Sequence, residues 1–155
     1  RLVMTIAVPR DGLDGSYHGN AIFTAYSTSG ELLGESSVPV NVLVGTDHRR
    51  EVQIRSLEAQ TIEGEGTYLS LDLKNSGNVA FAPQVGVIVN DESGEFVQRL
   101  SMMLPEGISE LLPLQTQHFG SLIPELQPGL YQVEVEISSG SLSILSETRQ
   151  IHIVE

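Results

Sequence analysis

The chain has no cysteine and no tryptophan, and four tyrosines and four phenylalanines supply all of its aromatic rings. Without thiols there can be no disulfide, no thiolate metal site and no cysteine nucleophile. The redox compartment stays open, because a cysteine-free chain suits the cytosol and many bacterial surface proteins alike. Basic residues are also scarce, 8 against 20 acidic ones, for a net charge of −12. Such a surface repels phosphate backbones and anionic lipid headgroups, so nucleic acid is excluded as a partner class and the acidity is read as solubility. No apolar run approaches the roughly 20 residues of a membrane-spanning helix, so no membrane insertion is expected. Helix signals are nearly missing too. The best candidate, Ser109-Glu-Leu-Leu-Pro-Leu114, is interrupted by Pro113, which lacks a backbone donor. Arg1 stands where an initiator Met would be, which suggests a processed chain or a segment of a longer protein.

What is present is strand signal. Hydrophobic residues make up 40% of the 155, enough for a packed core. They alternate with polar ones in Leu2–Val8, Ala21–Tyr26 and Val38–Val44. Pro39 cannot donate to a ladder, so the third of these begins there or lies at an edge. The polar stretch Gly45-Thr-Asp-His-Arg-Arg-Glu51 then reads as an inter-domain linker. From Val52 onward seven strands are expected, over Val52–Glu58, Thr67–Lys74, Gln84–Asn90, Glu95–Leu104, Leu112–Phe119, Leu130–Ile137 and Leu142–Val154. Leu69, Leu71 and Leu73 share one face, as do Tyr131, Val133, Val135 and Ile137. Seven short strands with frequent turns point to an all-β sandwich rather than βαβ units.

One turn signature occurs twice. Pro9-Arg-Asp-Gly-Leu-Asp-Gly15-Ser-Tyr17 and Pro124-Glu-Leu-Gln-Pro-Gly129-Leu-Tyr131 each open on Pro, turn at Gly and place Tyr two residues on, at the head of an alternating strand. Each is followed by a Ser/Gly turn, Ser27-Thr-Ser-Gly30-Glu-Leu32 and Ser138-Ser-Gly140-Ser-Leu142, and a last apolar strand. In Ig-like sandwiches a tyrosine in this place forms the tyrosine corner, its hydroxyl bonding back to upstream backbone. Tyr17 and Tyr131 are therefore expected to be structural. The first copy is preceded by only eight residues, the second by a whole domain. Residues 1–46 read as the closing three strands of an incomplete Ig-like unit and residues 47–155 as a complete seven-stranded Ig-like sandwich.

Leu71-Asp-Leu-Lys-Asn-Ser-Gly-Asn-Val79, Val87-Ile-Val-Asn-Asp-Glu-Ser-Gly94, Leu112-Pro-Leu-Gln-Thr116 and Leu126-Gln-Pro-Gly-Leu-Tyr131 together resemble the Ig-like modules of bacterial and archaeal surface proteins related to CARDB and NPCBM-associated modules. Val8-Pro-Arg-Asp-Gly-Leu-Asp-Gly-Ser-Tyr17 is similar to the end of the first domain in tandem proteins of the DUF916 and pilus-chaperone-like type. The resemblance implies an exported sandwich module, at the cell surface or in the periplasm. It departs from a pilus-chaperone-like protein in that most of a first domain is missing.

Candidate chemistry is thin. His18, His48, His118 and His152 are scattered, with no ligand spacing such as His-x-His. The acidic turns Asp11–Asp14 and Asn90–Glu95 do not match an EF-hand loop and read as turn formers. There is no Gly-x-Ser-x-Gly elbow. Glu134 and Glu136 sit two apart on a strand, on one outer face, and read as solvated. Sugar stacking would need exposed aromatics, for which Phe81 and Phe96, near turns, are the candidates. Asn75, Gly77, Asn78 and Gly129 are read as turn residues, the first three as tolerating left-handed backbone and capping neighbouring groups. No catalytic residue, metal ligand or cofactor is expected. The expected function is a non-enzymatic structural or interaction module, a rigid spacer contacting protein partners through strand edges or serving as a filament subunit. Glycan binding as an accessory module of a surface enzyme, and chaperone-like capture of subunit strands, are the alternatives. Exposed strand edges and an apolar face left by three unclosed strands carry the first reading.

Overall fold

A computed structural model describes residues 3–124 and 126–154. Among these residues all the regular structure is β: β1 (Gly15–Tyr26), β2 (Leu32–Val44), β3 (Val52–Ile62), β4 (Gly66–Asn75), β5 (Gln84–Asp91), β6 (Phe96–Met102), β7 (Thr116–Ile123), β8 (Gly129–Ser139) and β9 (Leu142–Ile153). The chain divides between His48 and Arg49 into two compact units. The sequence had suggested a break two residues earlier.

The second unit is a sandwich of seven strands. One sheet has the order β3-β4-β7 and the other β6-β5-β8-β9. Every pairing is antiparallel. Lettered A, B, C, C′, E, F and G in chain order, these are the ABE and C′CFG sheets of an Ig-like sandwich. The core follows from side-chain alternation. Leu69, Leu71 and Leu73 of β4, Val85, Val87 and Val89 of β5, and Val133, Val135 and Ile137 of β8 are all buried, and Phe119 and Ile123 of β7 join them. Polar residues fall between them, so a slip of one residue would expose a whole set. Each fully buried aliphatic side chain contributes about 1.5–3 kcal/mol, which is what holds the two sheets face to face.

Two expected strands are corrected. The fifth strand of the sandwich starts at Thr116 rather than Leu112. Pro113 lacks an amide hydrogen, Leu114 sits at φ 65°, and the Gln115 amide bonds the Leu112 carbonyl at 3.1 Å, so residues 112–115 form a turn. Leu111 is nonetheless fully buried, bridging to Phe81. The other correction is in the first unit, which has two strands rather than three. Residues 3–8 alternate but pair with no strand, and residue 2 lies outside the described residues. Met4 and Ile6 line a concavity with Tyr17, Val40 and Val42 instead. Alternation there encodes one apolar side without a ladder partner. Ser109–Leu114 holds no helix.

The first unit is thus a hairpin, β1 against β2 in register from Gly15↔Val44 to Tyr26↔Leu32. Pro39 lies inside β2, opposite Asn20. It is tolerated because both strands of a two-stranded sheet are edges. The stretch expected as a linker is tied at both ends. The amides of Thr46 and Asp47 bond Asp14 within the first unit, while the Arg49 and Glu51 carbonyls accept bonds from Asn78, Ser76 and Gly77 within the second.

If Leu71, with no exposed surface, anchors the sandwich, Leu71→Ala should lower the stability of the second unit by about 3 kcal/mol. Urea unfolding followed by far-ultraviolet circular dichroism measures it, and a loss below about 1 kcal/mol would contradict the assigned core.

Candidate functional site

The hairpin is built from its ends inward. At the open end, the Tyr17 hydroxyl donates to the Leu13 carbonyl at 2.8 Å. Beside it the Asp14 carboxylate accepts from the Asp47 and Thr46 amides at 2.7 and 2.8 Å. These bonds, that from Asp47 first, hold the Asp14 carboxyl below the usual carboxylate range. Gly45 has to be glycine here: its φ is 73°, and a β-carbon would stand on the Asp14 carboxylate. At the closed end, the Gly30 amide bonds the Ser27 carbonyl at 3.0 Å and the Ser27 amide bonds the Glu31 carbonyl at 2.7 Å.

Between these ends the two faces differ. One presents Tyr17, Gly19, Ala21 and Phe23 of β1 beside Val42, Val40, Val38 and Ser36 of β2. The other is mixed: His18 bonds Asn41 at 2.9 Å and Thr24 reaches Glu35, while Ile22 and Leu43 stand exposed among them. On the apolar face Tyr17 is 47% exposed, Phe23 39% and Val38 47%. Among the described residues no third strand pairs with either edge.

The second tyrosine repeats the first. The Tyr131 hydroxyl donates to the Gln127 carbonyl at 2.9 Å, four residues back, as Tyr17 does to Leu13. Tyr131 pairs with Ile151 as Tyr17 pairs with Val42, two residues into each hairpin. Gly129 is the first residue of β8, and the Tyr131 ring lies alongside it. The surroundings are what differ: β8 is paired on its second edge with β5, and Val133, Val135 and Ile137 are buried.

Asn75, Gly77 and Asn78 sit together at the end of β4. Asn75 is fully buried. Its side-chain amide donates to the Val79 and Leu111 carbonyls, both at 2.9 Å, and its oxygen accepts from the Gly77 amide at 2.9 Å. Its backbone bonds Gln115 and Leu114. One side chain therefore joins two loops, 76–83 and 103–115, with every polar atom satisfied. The Asn78 side chain accepts from the Arg49 amide at 2.7 Å. Left-handed backbone plays no part, since none of the three has a positive φ. Gly77 is needed for close approach: a β-carbon would run into the Arg49 carbonyl. The sequence signal for this hub was the break in alternation, where Asn75 follows Leu69, Leu71 and Leu73 on the buried face.

Other candidates are dispersed. Among the described residues no three metal-ligating side chains gather. His118 pairs with Asp72 at 2.8 Å and thereby lowers the Asp72 pKa. Asp91 caps its own turn, accepting from the Ser93 and Glu95 amides and the Ser93 hydroxyl. Glu136 pairs with Arg99 at 3.1 Å on the outer face. Phe81 is 4% exposed and belongs to the core, which removes it as a stacking platform, whereas Phe96 is 66% exposed.

No family model matches the chain, and no curated protein is similar to it. Among solved structures, the chain is similar to the C-terminal domain of wzt, with a TM-score of 0.52 and 12% identity over 70% of this chain and 76% of that one. That likeness bears on the fold, a β-sandwich. A β-glucuronidase from Ruminococcus gnavus in complex with D-glucaro-d-lactam matches at a TM-score of 0.35 and 17% identity, over 84% of this chain and 22% of that one.

Two substitutions in the second unit separate the corner from the hub. Tyr131→Phe removes one hydrogen bond and should cost about 0.5–1.5 kcal/mol. Asn75→Ala strands the Val79 carbonyl and leaves the Leu111 carbonyl and the Gly77 amide with only Phe81 and Glu51 as partners, and should cost about 1–3 kcal/mol. An unchanged unfolding midpoint for Tyr131→Phe would contradict its role in the corner.

Proposed function

We propose that this chain is a non-enzymatic structural and interaction module of a cell-surface or periplasmic protein, in which the sandwich acts as a rigid spacer and the hairpin makes contact with protein through its strand edge and apolar face. An all-β sandwich fits a non-enzymatic binding module. The observation that carries the finer reading is the pairing of opposites within one chain. The β8–β9 hairpin is flanked and covered, while the β1–β2 hairpin, with the same tyrosine bond at its mouth, keeps an apolar face and an unextended two-stranded sheet. A two-stranded ribbon is marginal by itself in water, and an exposed edge is a template for another strand. The resemblance of the Val8–Tyr17 segment to tandem proteins of the DUF916 and pilus-chaperone-like type supports the compartment.

The uncovered face should show itself as weak, reversible self-association. Sedimentation velocity and light scattering should give an average mass that rises above the monomer with concentration, and Val40→Glu, on the apolar face, should abolish the rise. A mass that stays monomeric at every concentration would leave the spacer role and contradict the hairpin as a contact surface.

A further inference from the structure

The two hairpins can be compared position by position, because both begin with Gly two residues before Tyr and pair in matching register. From Tyr131, the next inward residues of β8 are Val133, Val135 and Ile137, all buried. From Tyr17, the next inward residues of β1 are Gly19, Ala21 and Phe23. In the sandwich, the edge of β8 not used by β9 is taken by β5, running antiparallel, with Val89 opposite Val133, Val87 opposite Val135 and Val85 opposite Ile137. The matching edge of β1, from Tyr17 to Ala25, has no strand beside it among the described residues.

The β1 face also has less volume of its own. Glycine and alanine stand where β8 has two valines. Gly19 is not held by backbone strain, since its φ is not positive, and a β-carbon built there meets nothing within 4 Å. Gly19, Ala21 and Val40 line a concavity with Tyr17 and Met4. A strand added as β5 is added to β8 would point its alternate side chains into this space. A well-packed core needs their volume to replace what Gly19 and Ala21 lack, so leucine, isoleucine or phenylalanine fits better than valine.

Resting on the reading of the hairpin as a contact surface, we infer that the outer edge of β1 receives an antiparallel β-strand from outside residues 1–155, with large apolar residues at the alternate positions facing Gly19 and Ala21 and basic residues at the positions between. The chain's own duplicated hairpin is the template for the edge, the direction and the spacing. Charge supplies the second requirement, since residues 1–48 carry five acidic residues against two basic ones, so a partner is favoured by lysine or arginine on its outward positions. Main-chain bonds to β1 give affinity, and the notch over Gly19 and Ala21 gives selectivity.

The test uses the full chain and three labelled ten-residue peptides in fluorescence polarisation: alternating Leu and Lys, alternating Val and Lys, and the Leu/Lys composition in a sequence without period two. The Leu peptide should bind one to one, about tenfold tighter than the Val peptide, since two extra methylenes are buried. The scrambled peptide should not bind, and the Leu peptide should return the associating chain to monomer. Gly19→Val, a substitution the backbone accepts, should reverse the preference toward the Val peptide. Ala21→Lys should abolish binding of both alternating peptides while leaving the unfolding of the second unit unchanged. If the Leu and Val peptides bind equally and Gly19→Val changes neither, the notch is overturned while the hairpin remains a contact surface. A stable dimer that the Leu peptide does not dissociate would overturn the outside strand in favour of a second copy. No peptide binding by a chain that is also monomeric at all concentrations would overturn both this inference and the contact surface it rests on.

Discussion

An apolar sheet face must be covered, and a strand's backbone groups must be paired, before a β-structure is stable in water. The second unit meets both conditions. Its two sheets bury Leu69, Leu71, Leu73, Val87, Val133 and Val135 against each other, and β5 and β8 each have a neighbour on both sides. The first unit meets them by half. Backbone bonds join β1 to β2, and Met4 and Ile6 stand over the Tyr17 end of the apolar face, yet Phe23 and Val38 at the far end remain exposed. The difference between these two states of one motif is the source of the functional reading.

The devices that keep the hairpin formed are local. Tyr17 bonds Leu13, Asp14 gathers the amides after β2, and Ser27 to Gly30 close the turn. None of them depends on what covers the face. A hairpin held at both ends can keep its edge presented, which lowers the ordering cost a strand would meet on arrival. In the second unit, Asn75 has the complementary duty. It fixes two loops at one end of the sandwich with a fully satisfied buried amide.

Much of the sandwich was legible from alternation. The inward sets of β4, β5 and β8 could be read because both the burial of one face and the pairing of two neighbours enforce a period of two. The tyrosine pattern was legible because Pro, Gly and Tyr recur at nearly fixed offsets in two distant places. Alternation was not sufficient for residues 3–8, since it records burial of one side and carries no information about a ladder partner. It failed at Leu112 because Pro113 and a left-handed Leu114 turn the backbone while Leu111 is still buried. Phe81 lies near a turn and yet is core, bridging to Leu111 across thirty residues of sequence that only the folded topology brings together. The depletion of side-chain volume at Gly19 and Ala21 becomes visible only once β1 is laid against β8.

Residue-resolved hydrogen–deuterium exchange of the full chain tests the central claim most directly, that β1–β2 is a sandwich hairpin lacking one flanking strand. Alternate amides between Tyr17 and Ala25 should exchange at nearly solvent rates, those bonded to β2 should be modestly protected, and β8, paired on both edges, should be protected throughout. Uniform protection along β1 equal to that of β8 would contradict the claim, because it would mean that the outer edge is already filled.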